Sequence, residues 1–399
     1  MRNFLTLIAL ILTWSCTNTT EYIDFKSPAG ANASLPHLIK GDDGNLYVSW
    51  VEKGDSNQVD FKYSAFTDEK WTDPELIASG NDWFVNWADY PMLAVDQSGN
   101  KIAHYLAKSS SGTYSYDVNV VLKSTGSQKW SAPIIPHKDG TPTEHGFVTM
   151  LPKNDGTFLL AWLDGRNTGG GGHGDHGSGG AMTIRSAVID MQGNLSEEIE
   201  LDERVCDCCQ TGGVMTPEGA IIVYRDRSVN EVRDMAFVTK TDTGWSQPKL
   251  VAQDNWNIAG CPVNGPRVAA SGNTMASAWF TAADGEAKVK VAFAINGDDF
   301  EKAFIVDDTS PIGRVDVVMM DETTAVVSWL DGGESSTINY RMVKKDGTMT
   351  EPVKVAETSD SRGSGFPQME IHNNQLYFAW TALHGDNLSI KMARFDLQD

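Results

Sequence analysis

The chain has 399 residues, and its 12 Trp, 10 Tyr and 15 Phe supply enough apolar surface to exclude a disordered protein. Its 53 acidic and 32 basic residues give a formal net charge of −21. Because a phosphate backbone is held by basic surface, this charge excludes nonspecific nucleic-acid binding and predicts no nucleic-acid partner.

The first segment has the pattern of an export signal. One basic residue lies in positions 1–3, and residues 4–12 form an apolar run too short to span a bilayer. Ser15 before Cys16 resembles the signal of bacterial lipoproteins, in which the cysteine is lipidated and begins the mature chain. We expect a signal over residues 1–15 and a lipid anchor at Cys16 that holds the protein at a membrane of the bacterial cell envelope. A linker and strand over residues 16–30 and one domain over residues 31–399 should follow.

Short apolar runs that end in an aromatic residue recur along the rest of the chain. Most of them follow a Gly- or Asn-containing turn with another apolar run before it, which predicts β-hairpins. Several units then end in a Trp-x-x-Pro sequence, as at Trp71, Trp130 and Trp245. The recurring aromatics are 50 to 62 residues apart and are Trp50, Tyr105, Trp162, Tyr224, Trp279, Trp329 and Trp380.

Four strands per unit, about seven units and almost no helical periodicity are typical of a β-propeller. We predict an all-β propeller of seven four-stranded blades, with six blades as the alternative. The last unit ends after three strands, and the segment at residues 22–25 can supply the missing outer strand. The N-terminal strand should therefore close the ring. Two stacked β-sandwiches would explain the hairpins but not seven aromatics in one register.

Unusual residues concentrate in two kinds of loop. In a propeller blade, the loop before the innermost strand and the loop after the second strand lie on the same face, which we call the loop face. The hairpin turns on the opposite face, the turn face, consist of ordinary Asp, Gly and Asn. We therefore expect the functional groups on the loop face, near the channel of the ring.

Four cysteines form the most specific feature of these loops. An even number of cysteines in an exported protein favours two disulfides, although the spacing does not reveal the pairing. The alternative is a copper or zinc site that combines thiolates with imidazoles, two of them from a Gly-rich loop. The candidate ligands are Cys206, Cys208, Cys209, Cys261, His145, His173 and His176.

Arginines form a second cluster, because residues 224–234 contain three arginines and three acids. This cluster is either a structural ion-pair network or a grip for a ligand carboxylate, which a planar guanidinium binds through two parallel hydrogen bonds. The candidate ligand-binding residues are Arg225, Arg227, Arg233, Arg267 and Arg314. The candidate acid, base or nucleophile groups are Asp89, Tyr90, Glu144, Tyr224 and Asp316.

The repeats, the Trp-Ser-x-Pro endings and the arginine-rich loops resemble the sialidase/neuraminidase-like propellers, also called BNR-repeat proteins. Segments that begin at Trp162, Val205, Tyr224 and Gly260 resemble more closely an exported bacterial group with Cys-Asp-Cys-Cys and Gly-Cys-Pro-Val-Asn-Gly-Pro motifs. The Arg-Ile-Pro start of true sialidases is absent, and their Asp-boxes survive only as remnants at residues 124–130 and 296–300. The family's catalytic residues therefore have no matching positions here.

Three functions follow from these observations. The resemblance implies a lipid-anchored propeller that binds or hydrolyses acidic glycans, as an exo-sialidase-like glycoside hydrolase would. The Cys and His loops suggest instead a copper- or zinc-binding protein or a metal-dependent oxidoreductase. The third alternative is a non-catalytic propeller that binds a partner. The expected partners are thus a membrane, through Cys16, and a glycan.

Overall fold

The computed structural model describes residues 23–169, 180–297, 299–333, 335–385 and 387–397. Its strands form seven antiparallel sheets that follow one another around a ring, which confirms the predicted seven-bladed β-propeller. In the described part of the chain, helix is limited to three short 3-10 turns, Asp55–Asn57, Ala283–Gly285 and Arg362–Ser364.

The first three blades are formed from the N-terminal half of the chain. Each sheet begins with the strand that lines the channel and continues outward in chain order. Blade 1 comprises Ala33–Lys40, Leu46–Lys53, Val59–Thr67, Lys70–Trp71 and Glu75–Gly80; blade 2 comprises Met92–Val95, Lys101–Lys108 and Tyr116–Lys123; blade 3 comprises His145–Pro152, Phe158–Asp164, Met182–Ile189 and Ile199–Val205.

The remaining four blades repeat this order, except that the outer strand of blade 7 comes from the N-terminus. Blade 4 comprises Gly212–Thr216, Gly219–Arg225, Met235–Thr241, Gly244–Trp245 and Lys249–Leu250; blade 5 comprises Arg267–Ser271, Thr274–Thr281, Lys288–Ile295 and Phe304–Asp307; blade 6 comprises Pro311–Met319, Thr324–Asp331, Ser336–Lys344 and Val353–Thr358; blade 7 comprises Gln368–His372, Gln375–His384, Asn387–Asp396 and Ile23–Asp24.

The weak second unit of the sequence is a true blade, so the six-bladed alternative is wrong. Its three strands pair in the ordinary antiparallel order, and a single bridge between Val120 and Ile134 stands at the position of the outer strand. The recurring aromatics all lie in the second strand of their blades. Their exposed fractions run from 0% for Trp50 to 7% for Tyr105, so they form the apolar layers between the sheets.

The ring closes through the N-terminal strand, as the sequence predicts. Ile23–Asp24 pairs with Asn387–Asp396 and covers an edge that would otherwise be exposed. The next residue, Phe25, has its ring 5.2 Å from that of Phe66 in blade 1 and 5.3 Å from that of Tyr377 in blade 7. Phe25 therefore joins the first blade to the last.

Three inner strands contain a β-bulge where they begin, at Leu35, Phe147 and Arg314. These residues have φ of 56°, 53° and 51°, a left-handed conformation that costs free energy for a side chain with a Cβ. The bulge exposes a backbone N–H, and in each case a side chain of the preceding blade accepts a hydrogen bond from it. The acceptors are Thr381, Asp89 and Asn264 respectively.

Within the described residues, no helix is long and apolar enough to cross a membrane.

Phe25→Ala tests the closure. We expect the free energy of unfolding to fall by roughly 2 kcal/mol, less than for a fully buried Phe because this side chain is half-buried. Urea titration monitored by Trp fluorescence measures it. Leu76→Ala, which truncates a side chain that is 50% exposed, is the control and should cost less than about 1 kcal/mol. Equal stability of the two variants would contradict the closing role of Phe25.

Candidate functional site

The inner strands surround a central cavity of about 650 Å³, a size typical of small-molecule and saccharide sites. Its wall is apolar where the strands pack closely, with Leu93, Val148 and Met369 among the lining residues. Polar and charged side chains interrupt this wall at His37, Lys40, Asp42, Thr149, Thr211, Arg267, Asp316, Gln368 and Glu370. The cavity is therefore a candidate ligand site.

Loops from several blades close the channel at the loop face. Gln210 Nε2 donates to the carbonyl of Ala88, and Gln210 Oε1 accepts from the N–H of Gly265. A Cβ at Gly265 would lie 2.0 Å from the carbonyl oxygen of Gln210, so this close approach requires glycine. At the turn face, by contrast, the lining residues Lys40, Asp42 and Met215 are exposed. The cavity therefore opens toward the turn face, where the sequence predicted no functional groups.

A hydrogen-bonded group from three blades lies at the closed end of the cavity. Arg267 Nη2 donates to Tyr90 Oη at 2.6 Å, and Gln368 Nε2 donates to the same oxygen at 3.0 Å. Tyr90 Oη accepts both of these hydrogen bonds, and the side chain is buried, so it holds Arg267 and Gln368 in position. The structure thus brings two sequence candidates, Tyr90 and Arg267, together with Gln368, which the sequence analysis missed.

Two carboxyl groups of the cavity wall retain their protons more strongly than usual. Burial raises the pKa of Glu370 to about 7, although the N–H groups of Ile371 and Lys40 oppose the shift. Burial also raises the pKa of Asp316, against the charge of Arg267. A carboxyl group that is partly protonated at neutral pH can act as a general acid.

Of the two, Glu370 was not a sequence candidate. His37, another group of the wall, was not a candidate either. Burial and the charge of Arg267 lower its pKa to about 3. Its Nδ1 accepts the N–H of Leu93, so Nε2 carries the proton. The only signal for both was their place in the inner strands, which a single sequence does not distinguish from packing.

Arg225 and Arg314 use their guanidinium groups to hold the backbone. Arg225 donates to the carbonyls of Arg233, Asn264 and Phe280 at 2.7–3.2 Å, and its exposed fraction is 2%. Arg314 donates to Ser364 Oγ and to the carbonyls of Gly365, Asp360 and Ser361 at 2.6–3.0 Å. Arg225 and Arg314 therefore have a structural role and do not form a grip for a ligand carboxylate in this structure.

Arg227 and Arg233 share one carboxylate, that of Glu231. Arg227 Nη2 lies 2.8 Å from Glu231 Oε1, and Arg233 Nη2 lies 2.7 Å from Glu231 Oε2. Arg227 also contacts Asp207 at 3.1 Å. Within the predicted arginine cluster, Arg227 and Arg233 thus form an ion-pair network, while Arg225 binds the backbone. Of the five candidate arginines, only Arg267 lines the cavity.

The cysteines separate into a disulfide and a thiol pair. Cys208 is bonded to Cys261, and the Sγ atoms of Cys206 and Cys209 lie 3.4 Å apart. Burial raises the pKa of the Cys206 thiol, but the Cys209 hydrogen bond and the charge of Arg233 outweigh it and bring the pKa to about 6. The structure therefore contains one of the two expected disulfides, and Cys206 is the thiol with thiolate character.

Asp89 and Glu144, two candidate catalytic groups, both accept a hydrogen bond from Tyr116 Oη, at 3.3 and 2.5 Å. Burial raises the pKa of Asp89 to about 8. A Cβ at Gly146 would lie 2.0 Å from Asp89 Oδ2, so the pocket closes tightly around this carboxyl. Both carboxyls are buried, with exposed fractions of 2% and 8%.

Another candidate, Tyr224, donates to Asp202 Oδ2 at 2.7 Å and is also buried.

His145 lies in a group of its own, distinct from the cysteines. Its ring stacks on His137 with centroids 3.8 Å apart. Burial lowers the pKa of His145, but Asp117, Asp164 and Asp139 outweigh burial and raise it. The sequence analysis missed His137 and these aspartates, because they come from different strands and loops. The other candidate imidazoles, His173 and His176, and the predicted anchor Cys16 lie outside the described residues.

No protein-family model matches the chain, and no curated protein matches it. Among solved structures, the chain is similar to an ulvan lyase of a new polysaccharide lyase family, with 13% identity, TM-score 0.59 and coverage of 95% of this chain and 96% of that one. It is also similar to a protein of unknown function from Dyadobacter fermentans, with 13% identity, TM-score 0.53 and coverage of 92% and 95%.

Sialidases also appear among the similar structures, as the sequence resemblance suggested. NanB sialidase from Streptococcus pneumoniae has 12% identity and a TM-score of 0.46, and the match covers 95% of this chain and 71% of that one. The ulvan lyase and the Dyadobacter fermentans protein, with TM-scores above 0.5, show that the chain shares their fold. Membership of the exported bacterial subgroup stays a prediction.

Asp89→Asn tests the buried carboxyl. Because the folded-state pKa of about 8 exceeds the unfolded value of about 3.9, the folded protein binds the extra proton, and its stability should fall as pH rises from about 4 to 8. Asn mimics the protonated acid, so the variant should lose this part of the pH dependence. Urea unfolding at several pH values measures it, with the exposed Asp73→Asn as control. A variant whose stability depends on pH as that of the wild type does would contradict the raised pKa of Asp89.

Proposed function

We propose that the protein is a glycan-active propeller that takes an acidic sugar into the central cavity from the turn face. The observation that carries the proposal is the position of Arg267. Its guanidinium lines the cavity, and its one described hydrogen bond goes to Tyr90 Oη. Arg267 therefore has donors left for a ligand carboxylate, in contrast to the four arginines that are engaged by protein groups.

The surrounding groups suit the recognition of a carboxylate. The Tyr90 hydroxyl holds the Arg267 guanidinium in place, and Gln368 in turn holds that hydroxyl. A carboxylate that accepts from a guanidinium makes charge-assisted hydrogen bonds, which are shorter and stronger than neutral ones. Uronic acids and sialic acids both carry such a carboxylate.

The same cavity contains groups for acid–base chemistry. Glu370, with its pKa near 7, is partly protonated at neutral pH and can donate a proton to a glycosidic oxygen. Asp316 lies close enough to Glu370 for its charge to raise the pKa of Glu370, and it is the candidate second catalytic carboxyl group. These two carboxyls are the groups we assign to catalysis, in place of the buried Asp89 and Glu144.

The similar structures support a saccharide as ligand. The ulvan lyase with TM-score 0.58 is described as bound to -[GlcA(1-4)Rha3S]-, a saccharide with an acidic sugar. That lyase and this chain cover each other almost completely, at 95% and 96%. The resemblance of the sequence to sialidase-like propellers points to the same class of ligand.

We also propose that the protein works outside the cytoplasm, anchored through Cys16. The disulfide between Cys208 and Cys261 supports this proposal, since such bonds persist in oxidising compartments. Copper or zinc binding by all four cysteines has less support, because this disulfide uses two of the thiolates.

Arg267→Lys tests the ligand. Binding of uronate oligosaccharides and sialosides is measured by calorimetry. Product analysis separates hydrolysis, which consumes water and leaves both products saturated, from elimination, which forms an unsaturated uronate. Lys keeps the charge but loses the planar fork, so we expect affinity to fall about tenfold. Arg362→Lys, exposed on the loop face, is the control and should bind as wild type.

Two outcomes would contradict the proposal. One is the absence of binding of any acidic glycan by the wild-type protein. The other is equal affinity of wild type and Arg267→Lys. As a check on the carboxylate itself, the methyl ester of a bound saccharide should bind poorly to wild type.

Cys16→Ser tests the anchor. The variant should leave the membrane fraction, because loss of the lipid removes the membrane attachment while the domain itself is unchanged. Fractionation of cells and radiolabelling with a fatty acid measure it. Retention of the variant in the membrane fraction would contradict lipidation at this residue.

A further inference from the structure

We infer that the cluster formed by His145, Asp139 and Asp164 is a binding site for a divalent transition-metal ion of the zinc class. One nitrogen and two carboxylate oxygens of these residues lie within 4.8 Å of one another. The cluster lies between blades 2 and 3 at the loop face, and no cysteine or central-cavity residue belongs to it. The inference is therefore independent of the proposed glycan site.

The hydrogen bonds of His145 determine which ring nitrogen faces the carboxylates. Nδ1 lies 3.4 Å from the carbonyl oxygen of Tyr116 and 3.4 Å from Asp117 Oδ1. Both of these atoms are acceptors, so Nδ1 carries the proton and Nε2 is left with its lone pair. A metal-binding histidine is held in the same way, by a carboxylate or carbonyl that accepts from its other nitrogen.

The lone pair of Nε2 faces two further acceptors. Asp139 Oδ2 lies 3.2 Å away and Asp164 Oδ1 lies 3.7 Å away. Nε2 and Asp139 Oδ2 are both buried, and neither makes a hydrogen bond to any described residue. Asp164 is paired with Arg166, whose Nε and Nη2 each donate to one of its oxygens at 2.7 Å. His145 Nε2 and Asp139 Oδ2 are thus two buried acceptors that face each other without a hydrogen bond, which is unfavourable unless a cation lies between them.

The separations fit an ion between these atoms. Bonds of about 2.0–2.2 Å from zinc to nitrogen and oxygen place tetrahedral ligands about 3.3 Å apart. The observed distance of 3.2 Å between His145 Nε2 and Asp139 Oδ2 is close to this value. Asp164 at 3.7 Å completes three protein ligands, the number that leaves one position for water or a substrate.

His137 has a supporting position. Its Nε2 accepts the N–H of Val118, so its Nδ1 carries a proton and lies 3.4 Å from Asp139 Oδ2. Its ring stacks on that of His145, which holds both rings in orientation. His137 is thus a positioning residue for Asp139 and His145 and not a ligand.

The local charge favours a dication over a single proton. Around the cluster, the charges of two arginines and two glutamates cancel, and the negative charges of three aspartates are left. One proton on His145 would leave two negative charges, whereas a divalent ion leaves one. The groups in this sum are Arg166, Arg185, Glu198, Glu200, Asp117, Asp139 and Asp164.

The experiment uses the full mature protein, purified without a His tag, stripped with a chelator and titrated with Zn²⁺ and Co²⁺. We expect one equivalent of zinc to bind and the melting temperature to rise. Asp139→Asn and His145→Gln should each weaken zinc binding about 100-fold or more. The Cys206→Ser/Cys209→Ser variant should bind as wild type, and so should Asp202→Asn, which changes a half-buried acid elsewhere in blade 3.

The Co²⁺ spectrum tests the ligand set without any substitution. Nitrogen and oxygen ligands give d–d bands in the visible range without the near-ultraviolet charge-transfer band of a thiolate. The inference is overturned if the wild type binds no zinc, in which case His145 holds a proton. It is also overturned if the thiolate band appears, if the cysteine variant alone loses the metal, or if folded Asp139→Asn and His145→Gln bind as tightly as wild type.

Discussion

Polar side chains that join each blade to the next hold the ring together. At every junction, a side chain of one blade hydrogen-bonds to the inner strand of the following blade or to the loop before it, at 2.7–3.3 Å. Apolar packing between sheets is not directional, so these bonds set the register of neighbouring blades. The pairs are Thr381 and Leu35, His37 and Leu93, Asp89 and Phe147, Thr149 and Thr211, Gln210 and Gly265, Asn264 and Arg314, and Asp316 and Met369.

This set of bonds explains why several chemically attractive residues have structural roles. Asp89 is buried because it accepts the N–H of a left-handed residue in the next blade, and Asn264 does the same for Arg314. Loops that carry such groups pack over the channel and close it at the loop face. The cavity is consequently reached from the turn face. Asp316 and Glu370 each combine a junction contact with a place in the cavity wall.

The loop face retains two charged clusters away from the channel. One joins Cys206 and Arg233, so a thiol is stabilised as a thiolate by a neighbouring cation. The other joins imidazoles and aspartates between blades 2 and 3, where carboxylates exceed arginines. His145 and the cysteines are thus in two separate clusters, because they belong to different blade junctions.

The sequence by itself determined the fold. Seven aromatics in one register specify seven second strands, and an unfinished last unit specifies where the N-terminal strand pairs, because both follow from local periodicity and the need to cover an edge. It also marked Tyr90 and Arg267 as unusual. Only the tertiary structure decided which arginine lines the cavity, which face is open and which aspartates surround His145. These properties depend on contacts between blades, and no periodicity in a single chain encodes which side chains meet across a ring.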